Sequence, residues 1–184
     1  MPHRRNAALL LFFLGLAAPA LAQQPAPAMS LSGTAFTDTG IIPDRFSRKV
    51  AAPVSPALAW ANAPAGTVSF TLYMHDPDTS PNKGSFGVLH WLAFNIPANV
   101  RALPENVPTT PTTPDGMVQA KTTGGAPGYY GPGARGPDYH HYVFELFALD
   151  TRLPLGPDAS RADVLAAMEG HVVGKAAMVG RFHQ

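Results

Sequence analysis

The chain has 184 residues, with 13 basic, 12 acidic and 7 histidine side chains and no cysteine. A formal charge of +1 without any Lys/Arg cluster leaves no electrostatic footprint for nucleic acid or for an anionic membrane surface. The lack of cysteine excludes disulfides and thiol chemistry, so burial alone must hold the fold together.

In chain order, residues 1–22 come first. Arg4 and Arg5 precede an apolar run, Ala7 to Leu16, and Ala20-Leu21-Ala22 has the small-x-small form of a cleavage site. This reads as a secretory signal peptide, and it places the mature protein in the periplasm or outside the cell. Residues 23–28 (QQPAPA) read as a flexible leader, and residues 29–184 as a single domain. Without Arg4 and Arg5 the balance is 11 basic against 12 acidic residues.

Short apolar runs cut by 20 prolines and 17 glycines predict a mainly β domain. Leu31 to Phe36 is a first, weakly marked strand. Thr67 to His75 is a second, with Val68, Phe70, Leu72 and Met74 on one face and Ser69, Thr71, Tyr73 and His75 on the other. Val88 to Ile96 is apolar on both faces, which predicts a central strand with His90 on the face of Val88, Leu92 and Phe94 and Trp91 opposite. His140 to Leu149 has the same character, and Ala176 to Phe182 is a last strand. One helix is expected: Ser160-Arg161-Ala162-Asp163 has the form of a capping box and Gly170 supplies the stop. The Pro/Gly-rich stretches 98–116 and 123–137 are too long to be idle in a small domain.

Asp76-Pro77-Asp78 ends the second predicted strand with two carboxylates that can repel, share a proton or bracket a cation. By itself such a sequence is more often a plain turn, and a histidine inside an apolar strand, like His90, is more often a satisfied core residue. His140 and Tyr142 share a face directly after the glycine-rich stretch Gly124 to Asp138, whose backbone N–H groups are suited to an anion. Glu145 lies mid-strand among Phe144, Leu146 and Phe147, either buried or facing water.

Taken together and in order, VSPALAW (54–60), the strand into DPD, HWLAFNIP (90–97), GYYGP (128–132), HHYVFELFAL (140–149) and GHVVGKAAMVGRF (170–182) resemble the phosphatidylethanolamine-binding protein family, in its bacterial Raf-kinase-inhibitor-like branch. The resemblance implies a Greek-key antiparallel β-sandwich with a few peripheral helices and a small anion-binding cleft at one end. Carried over by residue, the cleft would hold Asp76, Asp78, His90, Gly131, Pro132, His140 and Tyr142. Two departures stand out: Gly133-Ala134-Arg135 replaces a frequent Pro-Pro pair, and Thr79-Ser80-Pro81 replaces Ala-Pro after the DPD.

The function so implied is an exported protein that binds a small phosphorylated or anionic ligand such as phosphorylethanolamine. Protonated His90 or His140, loop N–H groups and the Tyr142 hydroxyl would hold the oxyanion. No catalysis, cofactor, metal or nucleic-acid partner is expected, and a homodimer is what bacterial relatives suggest. Two other readings are a module that inhibits a protease or kinase, and a metal-dependent hydrolase built on Asp76, Asp78, His90 and His140.

Overall fold

The structure, a computed structural model, describes residues 27–184. The predicted signal peptide lies outside those residues, as does most of the leader. Two antiparallel sheets pack face to face. The smaller has the order β1-β2-β5, from β1 (Ser30–Gly33), β2 (Leu58–Ala61) and β5 (Ala102–Leu103). The larger has the order β6-β4-β3-β7-β8, from β3 (Ser69–Asp76), β4 (Val88–Pro97), β6 (Val118–Gln119), β7 (His140–Leu149) and β8 (Val172–Phe182). One helix, α1 (Arg161–Met168), lies on the outer face of the larger sheet.

The larger sheet is covered on both sides, which explains why β4 is apolar on both faces and why even Ser69 and Thr71 of β3 are buried. Phe70, Leu72 and Met74 of β3 and Phe144 and Leu146 of β7 pack inward with Leu31, Leu58 and Trp60 of the smaller sheet. The rings of Trp60 and Phe70 meet edge-on at 5.4 Å between the sheets. Tyr73, Leu92 and Phe94 face outward and are covered by Leu153 and by Val164 and Met168 of α1. The helix begins as expected. Ser160 Oγ accepts the Asp163 N–H at 3.2 Å and Asp163 Oδ2 accepts the Ser160 N–H at 2.8 Å. Gly170 then takes a left-handed conformation, φ +80°.

Several expectations need correction. The first strand ends at Gly33, because the chain bends at 34–36, although Phe36 still packs on Phe144 with ring centroids 6.1 Å apart. The last strand begins at Val172 rather than Ala176, extended by its pairing with β7. Val68 precedes β3 and is exposed. The largest correction concerns β4. Met74 pairs with Trp91 but His75 pairs with Leu89, so His90 is the extra residue of a β-bulge. A bulge re-aims the side chains beside it. His90 and Trp91 therefore both lie toward the inter-sheet side, while Leu92 and Phe94 lie on the other. A second irregularity sets Thr71 opposite both Phe94 and Asn95, and Asn95 takes φ +57°. Asn95 then exchanges two hydrogen bonds with the Leu153 backbone, 2.9 and 2.8 Å, and anchors the segment that leads to α1.

Within the long stretch 98–116, residues 108–110 are tied to β4 by one side chain. Gln119, fully buried, accepts the Trp91 Nε1–H at 2.8 Å and donates to the carbonyls of Pro108 and Thr110, each at 2.8 Å. Gln119→Ala would leave those three groups unpaired and open a void, so it is expected to cost about 3 kcal/mol. Urea unfolding measures this, and a loss below about 0.5 kcal/mol would show that the tie is not needed.

Candidate functional site

β3 and β7 pair along their length, and where β3 ends, its two aspartates grip the first two residues of β7. Asp76 is buried, 3% exposed. Its Oδ1 accepts the Asp78 N–H at 2.9 Å, which closes the turn around Pro77. Its Oδ2 accepts from His140 Nδ1 at 2.8 Å. Asp78 Oδ2 accepts both the backbone N–H of His141, 2.6 Å, and its ring Nδ1, 2.9 Å. Burial raises the Asp78 pKa, but these two bonds outweigh it and leave the group below the usual carboxylate range. Gly87 is required beside this turn, since a Cβ there would lie 1.8 Å from the Asp76 carbonyl oxygen.

A cavity of about 200 Å3 opens next to the clamp, and Asp76, His90, His140 and Tyr142 all line it. Asp78 does not: it sits outside, on His141. Gly131 and Pro132 are also absent from the lining. They thread the loop past the 44–54 segment, where a Cβ on Gly131 would lie 2.7 Å from the Phe46 carbonyl oxygen and the Pro132 carbonyl accepts the Arg48 N–H at 2.7 Å. With Asp78 turned away, the four side chains of the metal-hydrolase reading do not converge. Among the described residues no group of three or more His, Cys, Asp or Glu is placed to hold a metal ion.

Three further polar side chains reach the cavity, Arg48, Arg135 and Thr79, beside Val88, Gly133 and Ala134. Arg48 and Thr79 are the ones that sequence reasoning missed as site residues, and no motif marks Arg48. It lies 83 positions from Gly131, whose carbonyl accepts its Nε–H at 3.1 Å. Its guanidinium stacks 4.4 Å over the Tyr130 ring and donates to the Tyr130 hydroxyl. Tyr130 in turn stacks on His90, centroids 5.5 Å apart. The Gly133 departure has a physical consequence here, because a Cβ at 133 would lie 2.2 Å from Arg48 Nη2. Glycine leaves that space to the guanidinium.

The polar atoms sort by role. Tyr142 is fully buried and its hydroxyl oxygen accepts the N–H groups of Gly133, 3.2 Å, and Ala134, 3.1 Å. These loop amides are therefore spent on Tyr142 and not on a ligand. The phenol keeps its own proton to donate, and burial pushes its pKa up to about 12. The Thr79 hydroxyl oxygen is buried and has no partner among the described residues. His90 Nδ1 lies 2.5 Å from the Tyr130 carbonyl, which can only accept, so Nδ1 carries the proton and Nε2 is an acceptor.

Burial lowers the His90 pKa from 6.5 to about 4, so the expected imidazolium does not form there at neutral pH. The unfolded chain takes up this proton near pH 6.5 and the folded chain only near pH 4. Stability is fully present above the higher value and drains away as pH falls between the two, by about 3 kcal/mol in all. Urea unfolding at about pH 7 and about pH 4.5 should show this loss in the protein and a smaller one in His90→Gln. Equal losses in both would contradict a neutral buried His90.

Comparison with known proteins agrees with this architecture. Residues 32–183 match the phosphatidylethanolamine-binding protein family. A UPF0098 protein of Methanothermobacter thermautotrophicus is 43% identical over 156 residues, 85% of this chain and 99% of that protein. The UPF0098 protein YbhB of Escherichia coli is 35% identical over 131 residues, 70% and 81% of the two chains. A Mycobacterium tuberculosis relative that carries a lipoprotein name, LppC, is 33% identical over 165 residues, 88% and 77%. The crystal structure of Escherichia coli YbcL, described as a member of the mammalian PEBP family, superposes with a TM-score of 0.76 at 26% identity, covering 86% of this chain and 99% of that one. With a fold of two antiparallel sheets and a family match over most of its length, the chain belongs to the phosphatidylethanolamine-binding protein family.

Proposed function

We propose that this protein binds a small phosphoryl-bearing or similar oxyanion in the cavity beside Asp76 and His140, outside the cytoplasm and without covalent chemistry. The observation that carries this reading is the excess of donors around the cavity. Two guanidinium groups, Arg48 and Arg135, line it with the spare Tyr142 proton and the unpartnered Thr79 hydroxyl. Charge-assisted donors of this kind suit phosphate oxygens. His90 Nε2 and the Asp76 carboxylate supply the opposite polarity at the same cavity, which suits an ammonium on the same ligand. About 200 Å3 holds a phosphate with a short amine such as phosphorylethanolamine. It does not hold acyl chains, since pockets that enclose even drug-sized ligands start at about 300 Å3.

Export rests on residues 1–22 and is in keeping with the lipoprotein name of one relative. Protein recovered from the periplasm should begin at Gln23, and a chain still beginning at Met1 would contradict it.

Calorimetric titration distinguishes the sources of the anion: inorganic phosphate, phosphorylethanolamine and vesicles containing phosphatidylethanolamine. The soluble headgroup should bind more tightly than phosphate, and the vesicles should not bind. Loss of one charge-assisted bond is worth about 1.5–3 kcal/mol, so Arg48→Met should weaken phosphorylethanolamine by about tenfold or more. Arg135→Ala, at an exposed position that leaves the fold intact, should weaken it in the same direction. Unchanged affinity in both variants would sink the reading.

A further inference from the structure

A second cavity, of about 320 Å3, opens on the opposite face of the larger sheet. Successive side chains of a strand point to opposite faces, so β3 sends Asp76 to the first cavity and His75 to this one. Tyr73, His75, Glu145 and Phe147 line it on the sheet, Leu165 on α1 and Phe86 in the loop before β4. Four of these six carry rings. Tyr73 and His75 stack with centroids 4.6 Å apart at 8°. Phe86 is 55% exposed, a large apolar side chain open to solvent.

The charges are unbalanced in a specific way. Glu145, left undecided by the sequence, is cancelled: Lys175 Nζ lies 2.6 Å from Oε1 and His75 Nε2 3.4 Å from Oε2. The His75 contact first, with Lys175 behind it, draws the Glu145 pKa down to about 2 against the opposing effect of burial. Arg161 is not cancelled. Its guanidinium lies 4.7 Å over the Phe86 ring and donates to the Gly87 carbonyl at 3.0 Å, and a weaker contact of 3.4 Å reaches the Tyr73 hydroxyl. Among the described residues it forms no ion pair. Arg161 is not itself in the cavity wall but sits on three residues that are, Phe86, Gly87 and Tyr73, while Lys175 in the wall is matched by Glu145. An aromatic-walled cavity with one unmatched guanidinium beside it is complementary to a flat ring bearing one negative charge.

We propose that this cavity is a second ligand site that takes a small aromatic anion, with its ring among Phe86, Phe147 and Leu165 and its carboxylate on Arg161. It is independent of the oxyanion site, and either can fail without the other.

The test is titration of the protein with 2-naphthoate, followed by amide NMR shifts, with 2-naphthylmethylammonium as the probe of opposite charge. Naphthoate should saturate and shift the amides of Gly87 and Leu165. Phe86→Ala and Arg161→Met, neither in the core, should each weaken it by about tenfold. Arg48→Met, in the first cavity, should leave it unchanged, and the ammonium probe should bind at least about tenfold more weakly. The proposal is overturned if naphthoate does not saturate, if the ammonium probe binds equally well, or if Arg48→Met abolishes binding while Phe86→Ala does not.

Discussion

Two aspartates at the end of β3 hold two histidines at the start of β7, and the candidate site is built on that clamp. A strand pair is free to splay where its ladder ends. Here Asp76 and Asp78 continue the attachment by side chain, one bond set inward and one outward. The inner bond also fixes the proton of His140 on Nδ1, because a carboxylate accepts. The turn between them needs the close passage of Gly87, and that places Val88 and the His90 bulge beside the same cavity. Side chains from β3, β4 and β7 are thereby brought together at one cavity.

The clamp explains how an acidic motif can sit at the cavity for which we propose an anion. Asp78 is directed away and Asp76 has both oxygens engaged with protein donors. Arg48 and Arg135, brought in from loops, then set the balance. His90 contributes no charge. Its burial under Tyr130 and Tyr142 leaves a neutral ring with a defined acceptor. The glycine-rich loop is fixed rather than free: Tyr129 donates to the Phe46 carbonyl at 2.8 Å, the Tyr130 N–H to the His90 carbonyl at 2.7 Å, and the amides of 133 and 134 to Tyr142.

What the sequence made legible follows from what leaves a periodic trace. Strands buried on both sides leave continuous apolar runs, so β4 and β7 are readable; β3 is readable by its alternation, and α1 by its capping box. Asp76, His90, His140 and Tyr142 are readable as a group only through the family resemblance, since each alone is commonplace. The bulge at His90 leaves no trace, because inserting one residue into a strand apolar on both faces does not alter its pattern, and the face assigned to His90 failed for that reason. β2, β5 and β6 are two to four residues long, too short for periodicity to register. Arg48 and Gln119 act across 83 and 28 positions respectively, on Gly131 and Trp91, and contacts of that range are set by topology alone. Asp78 shares the face rule with Asp76 on paper, but the tight turn at Pro77 ends the strand and with it the rule.

The central claim is that burial keeps His90 neutral while its bond to the Tyr130 carbonyl sets its tautomer, and that the Asp76 carboxylate orients His140. Long-range proton–nitrogen correlation of the imidazoles at neutral pH tests it directly. The account predicts that His90 is neutral with its proton on Nδ1, bonded to the Tyr130 carbonyl, and that Asp76→Asn alters the His140 signals while leaving those of His90 in the same tautomer. A His90 that is doubly protonated, or protonated on Nε2, would contradict it.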